Sequence, residues 1–354
     1  MRSTIVGMTS LTEQLPYVYA FPDALGTGLL VHTESVLDDE IRDRIGSFIH
    51  EYEVVLSRFR DDSIVGRMRT AAHGGTFDFP DWASGLFGLY DRLFAATDGA
   101  TDPCVGEDLI RLGYDPALSF TVEADAGERL GPLHGRAVWG RDVVRSSGTT
   151  LVTRSPVHVD FGACGKGYLV DSLGGLLTDS ELSRTSHVKS AETTNPTCQS
   201  STSDSKRESA APEFVIDAGG DLLARTNKPI RVALEDPDDP SCAVGVALIG
   251  DGAFCASAPS RRHWEVAVNE QTHLAIHHLL NAIDGLPVQQ TEATWVAVRS
   301  ASFGGYPTAV ADGLATALFV ADPNELSSTF AFDCATLDAD RHATISAGFP
   351  GRFF

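Results

Sequence analysis

The sequence predicts an α+β fold, and three features point to it. Strand-like and helix-like runs alternate irregularly along the 354 residues, without the regular βαβ alternation of a parallel sheet. No internal repeat suggests a solenoid or propeller. Hydrophobic residues make up 43% and charged residues 21%, which places the chain among globular proteins able to bury a large core.

The first strand falls at 28–32. Residues 35–56 follow as an amphipathic helix: Leu37, Ile41, Ile45, Phe48, Ile49, Tyr52, Val55 and Leu56 recur at helical spacing, and Asp38, Asp39 and Glu40 suit its first turn. A second helix is expected over 80–97, opened by Pro80, stopped by Gly99, with Trp82, Leu86, Leu89, Tyr90, Leu93 and Phe94 inward. After a strand at 151–153, Tyr168, Leu169, Leu173 and Leu176 mark a third helix. The stretch 178–212 is rich in Ser and Thr and poor in large apolar residues. It offers too little surface to bury to offset its ordering entropy, so a disordered insert is expected there, with a mobile lid as the alternative. Apolar runs at 213–217, 230–234, 244–249 and 294–298 read as strands, and 308–320 as a last helix. Compact sequence on both sides of the insert makes 1–354 one interrupted domain.

A net charge of −21 argues against nucleic acid as a partner, because a polyanion needs a basic footprint. Any phosphate-bearing ligand then needs local neutralisation by a metal, a few cations or backbone N–H groups. The six cysteines make no CxxC pair, and free thiols are the simplest reading. The first twenty residues hold no apolar run of signal-peptide length, and no stretch is long enough to span a membrane. A cytoplasmic location without membrane insertion is the expectation.

Five constellations could carry chemistry. Asp160-Phe161-Gly162-Ala163-Cys164-Gly165-Lys166-Gly167 sets a cation among glycines ahead of a helix, which suits a phosphate and equally describes a tight turn with a surface lysine. Asp312 and Thr316 stand one helical turn apart on an otherwise small and apolar face. They could offer oxygens to Mg²⁺, or merely cap and back-bond their helix. His277 and His278 enter a turn of Asn, Asp, Gly and Pro, where a histidine could act as a general base; the residues leave open which one faces a site. Asp102-Pro103-Cys104 follows a helix, and Asp217-Ala218-Gly219-Gly220-Asp221 turns out of a strand.

In chain order these blocks resemble the successive motifs of the ApbE family, the FAD:protein FMN transferases. Two more join them: Ala24-Leu25-Gly26-Thr27, with Leu25 for methionine, and Leu56 to Ser63 around Phe59. The resemblance covers about residues 24–320. It implies a single α+β domain of mixed sheets with flanking helices. It also implies an enzyme that splits FAD, places FMN on a Thr or Ser hydroxyl of an acceptor protein, and releases AMP. On the matching positions, Asp312 and Thr316 would hold Mg²⁺ by side chain and Ala163 by its carbonyl. Leu25, Phe59, Asp102, Pro103, Cys104, Lys166, Gly219 and Gly220 would line the FAD site, and His278 would be the base. Cys104 replaces a threonine, and Met68 stands where the early motif has asparagine. Asn281, Ala282 and Asp284 replace the Asp, Pro and Thr of the histidine box. Without the proline the turn that aims His278 should loosen, and Asp284 should add negative charge beside the phosphates. A Mg²⁺-dependent FAD hydrolase and a non-catalytic FAD-binding protein are the competing expectations.

Overall fold

The computed structural model describes residues 11–191, 212–269, 272–300 and 305–354. Its centre is a nine-stranded, wholly antiparallel sheet. The strands are β1 (Tyr17–Phe21), β2 (Leu29–Thr33), β3 (Phe214–Asp217), β4 (Asp221–Glu235), β5 (Ala243–Ser257), β6 (Thr291–Arg299), β7 (Asp333–Asp338), β8 (Ala343–Ile345) and β9 (Gly351–Phe353). The first eight lie in chain order. β9 returns to the first half of β5, pairing Gly351 with Ala247, while β6 takes the second half, pairing Val296 with Cys255.

Alternation along the strands gives the sheet two apolar faces, because successive side chains point to opposite sides. Ile216, Leu223, Cys255 and Val296 join the main core, whereas their neighbours Val215, Leu222, Phe254 and Trp295 form a second core with Leu15 and Phe349.

Four helices cover the main face: α1 (Asp39–Leu56), α2 (Ala83–Ala96), α3 (Gly165–Ala191) and α4 (Pro307–Ala317). In α1 the side chain of Asp38 accepts from the Ile41 N–H (2.9 Å), and Ile41, Ile45, Ile49, Tyr52 and Val55 are buried as their spacing requires. α2 buries Leu86, Phe87, Tyr90 and Leu93 and is closed by left-handed Asp98 and Gly99, whose N–H donates to Phe94 O (2.8 Å). α4 opens on Pro307 and is buried on nearly every side, as a helix held between a sheet and other helices must be.

The sheet and its helical layer make the fold α+β. Two sequence expectations change. The broken alternation around Gly250-Asp251-Gly252 hides that β4 and β5 run fifteen residues each. α3 continues to Ala191, into the Ser/Thr-rich stretch expected to be disordered; residues 192–211 of that stretch lie outside the described residues. Cys104, Cys164, Cys242, Cys255 and Cys334 are free. Among the described residues no helix is long and apolar enough to cross a membrane.

Candidate active site

The glycine loop places the start of α3 against the start of α4. A side chain on Gly167 would overlap the Thr308 carbonyl, so only glycine permits this approach. The Gly167 N–H donates to Asp312 Oδ2 (3.0 Å). One turn further along α3, Asp171 accepts from the N–H groups of Thr308 (3.0 Å) and Ala309 (2.8 Å), capping an α4 whose own N-cap, Tyr306, supplies no such bond. Burial pushes the Asp171 carboxyl up to about 7, against the pull of those donors. From α1, the Tyr52 hydroxyl holds the Gly165 carbonyl (2.7 Å).

Asp312 is 2% exposed and Asp221 is fully buried. Asp221 arrives through the turn at the end of β3, where Gly219 and Gly220 both adopt positive φ and the Asp217 carboxylate accepts from the Gly219 N–H (3.0 Å). Lys166 pairs with Asp221 Oδ2, while Asp221 Oδ1 is buried with no hydrogen-bond donor. Two carboxylates therefore share one ammonium. Burial first, then Asp221, hold the Asp312 carboxyl well above its ordinary range, while Lys166 and the Gly167 N–H oppose them. Burial works to lower the Lys166 pKa, but Asp221 and Asp312 raise it above its ordinary value; with 32% of that side chain exposed, solvent screens part of the effect.

One turn beyond Asp312, Thr316 Oγ1 lies 3.5 Å from the Ala163 carbonyl oxygen, at the outer limit of a hydrogen bond. Among the described residues no cluster of three His, Cys, Asp or Glu could hold a metal. The donor set here is different: one carboxylate, one hydroxyl and one carbonyl, all hard oxygens, beside a second carboxylate in excess of the available cation. That set fits Mg²⁺, which takes about six oxygens and accepts most of them from water and phosphate.

The two histidines separate cleanly. His277 is buried, with Nε2 against the Val288 carbonyl (2.7 Å) and Nδ1 accepting from the Leu279 N–H (3.2 Å), so both nitrogens are engaged. His278 is half-buried and donates Nδ1–H to the Arg262 carbonyl (3.2 Å), which leaves Nε2 with a free lone pair. Desolvation is the main cause that lowers His278 to about 4. The Arg262 carbonyl raises it; His277 and Lys166 lower it further, and Asp160 raises it.

The turn after His278 is not loose. The Ala282 N–H donates to the Ala100 carbonyl (3.0 Å), Ile283 N–H to Asn281 Oδ1 (3.0 Å), and Gly285 N–H to the Asn281 carbonyl (2.7 Å). Asp284 is exposed and accepts from the Leu286 N–H (2.9 Å); His277, Lys166 and Asp160 are the side-chain groups that act most on His278.

Phe59 is 41% exposed, edge-on to Tyr114 at 5.5 Å, with the Arg58 guanidinium 4.2 Å from its ring centre. Arg58 also binds Asp160 Oδ2 (2.6 Å), and Arg262, whose carbonyl meets His278, has its guanidinium 5.8 Å from the Tyr114 ring. Leu25 sits in a short helical turn with φ of 51°, its N–H on Glu53 Oε1 (2.7 Å), and the neighbouring Thr27 lies against Gly219. Pro103 meets the glycine loop through its carbonyl, which accepts from the Asp160 N–H (2.7 Å). Asp102 and Cys104 differ from the rest. Their side chains are buried, and Asp102 is taken up by the Cys104 N–H (2.8 Å), the Trp139 N–H (3.3 Å) and Arg136 (3.4 Å), so neither side chain is free to meet a ligand. Asp221, Asp171, Arg58 and Arg136 received no role from the sequence. The Asp221 partnership crosses 55 residues, and only the fold reveals it.

A family model described as the ApbE family matches residues 25–186 and 202–336. Solved structures of similar fold include the ApbE protein of Thermotoga maritima, at 17% identity and a TM-score of 0.70 over 94% of this chain and 97% of that one. The flavinyl transferase ApbE of Pseudomonas stutzeri has 18% identity and a TM-score of 0.65, covering 94% of each chain. The flavin transferase ApbE of Vibrio cholerae has 18% identity and a TM-score of 0.67 over 94% of this chain and 97% of its own. No curated protein matches. At such identities the structural likeness is one of fold.

Proposed function

The chain belongs to the ApbE family, and on that premise we propose that it is an FAD:protein FMN transferase that moves FMN from FAD to a Thr or Ser hydroxyl of an acceptor protein. One observation carries the reading. A neutral histidine with a free Nε2 stands within electrostatic reach of Lys166, which itself sits among the buried carboxylates Asp221 and Asp312.

A hydroxyl is a poor nucleophile at neutral pH, so the reaction needs a base whose lone pair is free. His278 supplies it, and Arg262 fixes its tautomer. As the acceptor oxygen bonds to the FMN-side phosphorus, its proton passes to Nε2 and then to solvent. The bond from that phosphorus to the bridging oxygen breaks, and its electron pair leaves with AMP. Lys166 faces the phosphates as the fixed cation, and the glycine loop lets the backbone approach them. Asp312, Thr316 and the Ala163 carbonyl would hold Mg²⁺, which when bound neutralises charge on the pyrophosphate oxygens. The exposed ring of Phe59 offers an apolar surface to a flat flavin.

Incubation with FAD, Mg²⁺ and an acceptor protein followed by mass spectrometry tests this. Covalent FMN on the acceptor with one AMP released is the expected result. Free FMN plus AMP would make the protein a hydrolase, and intact bound FAD a binding protein.

A further inference from the structure

We infer that Arg136 positions His278: from the interior it holds the histidine turn that lacks a proline at residue 282. The inference rests on the reading of His278 as the base. Arg136 is fully buried, and its guanidinium donates to three acceptors. Nη1 meets Asp102 Oδ2 (3.4 Å) and the Ala137 carbonyl (3.0 Å), Nη2 donates to the Ala282 carbonyl, and Nε forms an ion pair with Asp108 Oδ2 (2.8 Å) that lacks hydrogen-bond geometry. Ala282 thus has its N–H fixed by Ala100 and its C=O by Arg136, four residues after His278.

Packing reinforces the grip. Asp108 Oδ1 accepts from the Gly131 N–H (3.0 Å), and an added Cβ on Gly131 would lie 3.1 Å from the Asp284 backbone. A Cβ on Gly285 would lie 2.8 Å from Asp108 Oδ2. The turn is therefore seated on the loop that carries Arg136. A charge-assisted bond from a desolvated guanidinium is among the stronger contacts a carbonyl can receive, and its planar fork has little freedom. A proline at 282 would remove the N–H that binds Ala100, so in this chain it would undo the turn instead of stiffening it.

Arg136→Lys keeps a charge between the two carboxylates but loses the fork. FAD and Mg²⁺ affinity should remain at the wild-type level, while FMN transfer falls about 10-fold or more, as a misaimed base predicts. In a His278→Ala background the same substitution should change the residual rate less than about twofold, since a missing base cannot be misaimed. Independent, multiplicative losses would overturn the proposal. Nitrogen NMR of the His278 ring needs no turnover and so separates failure here from failure of the transferase reading. Loss of the Nδ1–H tautomer in the variant is expected, and an unchanged ring spectrum overturns the proposal. Should Arg136→Lys not fold, Asp108→Asn keeps the guanidinium but weakens its seat. Reduced transfer with the same ring change is then expected, and unchanged transfer with an unchanged ring spectrum overturns the proposal.

Discussion

His278 carries its free lone pair at a nitrogen that stays unprotonated down to about pH 4, so as the proposed base it is ready throughout the neutral range. His278→Ala should slow FMN transfer by ~100- to 10,000-fold and leave FAD binding intact, as titration of flavin fluorescence would show. Because protonation removes the base, kcat/KM should be flat from neutrality down to about pH 5 and fall below it; a midpoint near 6.5 would mean an ordinary, solvated imidazole. Asp312 makes the opposite kind of prediction. Its carboxyl is raised in the fold, so its contribution to stability is full below the ordinary value of 3.8 and lost as pH rises through the folded value. Asp312→Asn should therefore melt at a higher temperature than wild type at pH 8 without metal, and lose the stabilisation that Mg²⁺ gives the wild type. Equal metal-induced shifts in both proteins would remove Asp312 from the metal site. Lys166, Asp312 and Thr316 stood out in the sequence because each lies in a short block with its own chemistry, whereas Ala163 entered only through the family resemblance. The inward turn of Asp102 and Cys104 was not legible there, since it depends on Arg136, more than thirty residues on.

At the scale of elements, α4 is placed by a carboxylate from another helix. Asp171 lies above its unfolded value of 3.8 at about 7, so its contribution is full below 3.8 and declines as pH rises through 7. Wild-type melting temperature should fall from about pH 4 to pH 7 and level off above that, and Asp171→Asn should flatten that fall. Asp171→Ala, which leaves the Thr308 and Ala309 N–H groups without an acceptor, should cost ~1 kcal/mol by denaturant titration, the usual value of a lost cap. The helices α1 and α2 could be read from periodicity because each buries one stripe against a core. α4 gives a weaker signal, being apolar all round. The β4–β5 hairpin was legible only in halves, where Gly250 and Gly252 interrupt the alternation that marks a strand.

For the whole molecule, the Ser/Thr-rich composition of 192–211 predicts that replacing those residues with a short Gly/Ser linker leaves the melting temperature within a few degrees of wild type. Loop length enters closure entropy only logarithmically. A large drop would mean that the segment packs on the domain. The strand order also has a consequence in time. From β3 to β8 each strand pairs with its immediate successor, so that sheet can zip from neighbour to neighbour as the chain is made. The β1–β2 hairpin is different: Thr33 pairs with Phe214, about 180 residues later, with the whole of α1, α2 and α3 strung between. On the ribosome the hairpin emerges first, yet it must wait for more than half the chain before it has an edge to join. Its amides should be the last of the sheet to gain protection in pulse-labelled refolding, and Thr27, carried on that hairpin's turn, would reach Gly219 only then.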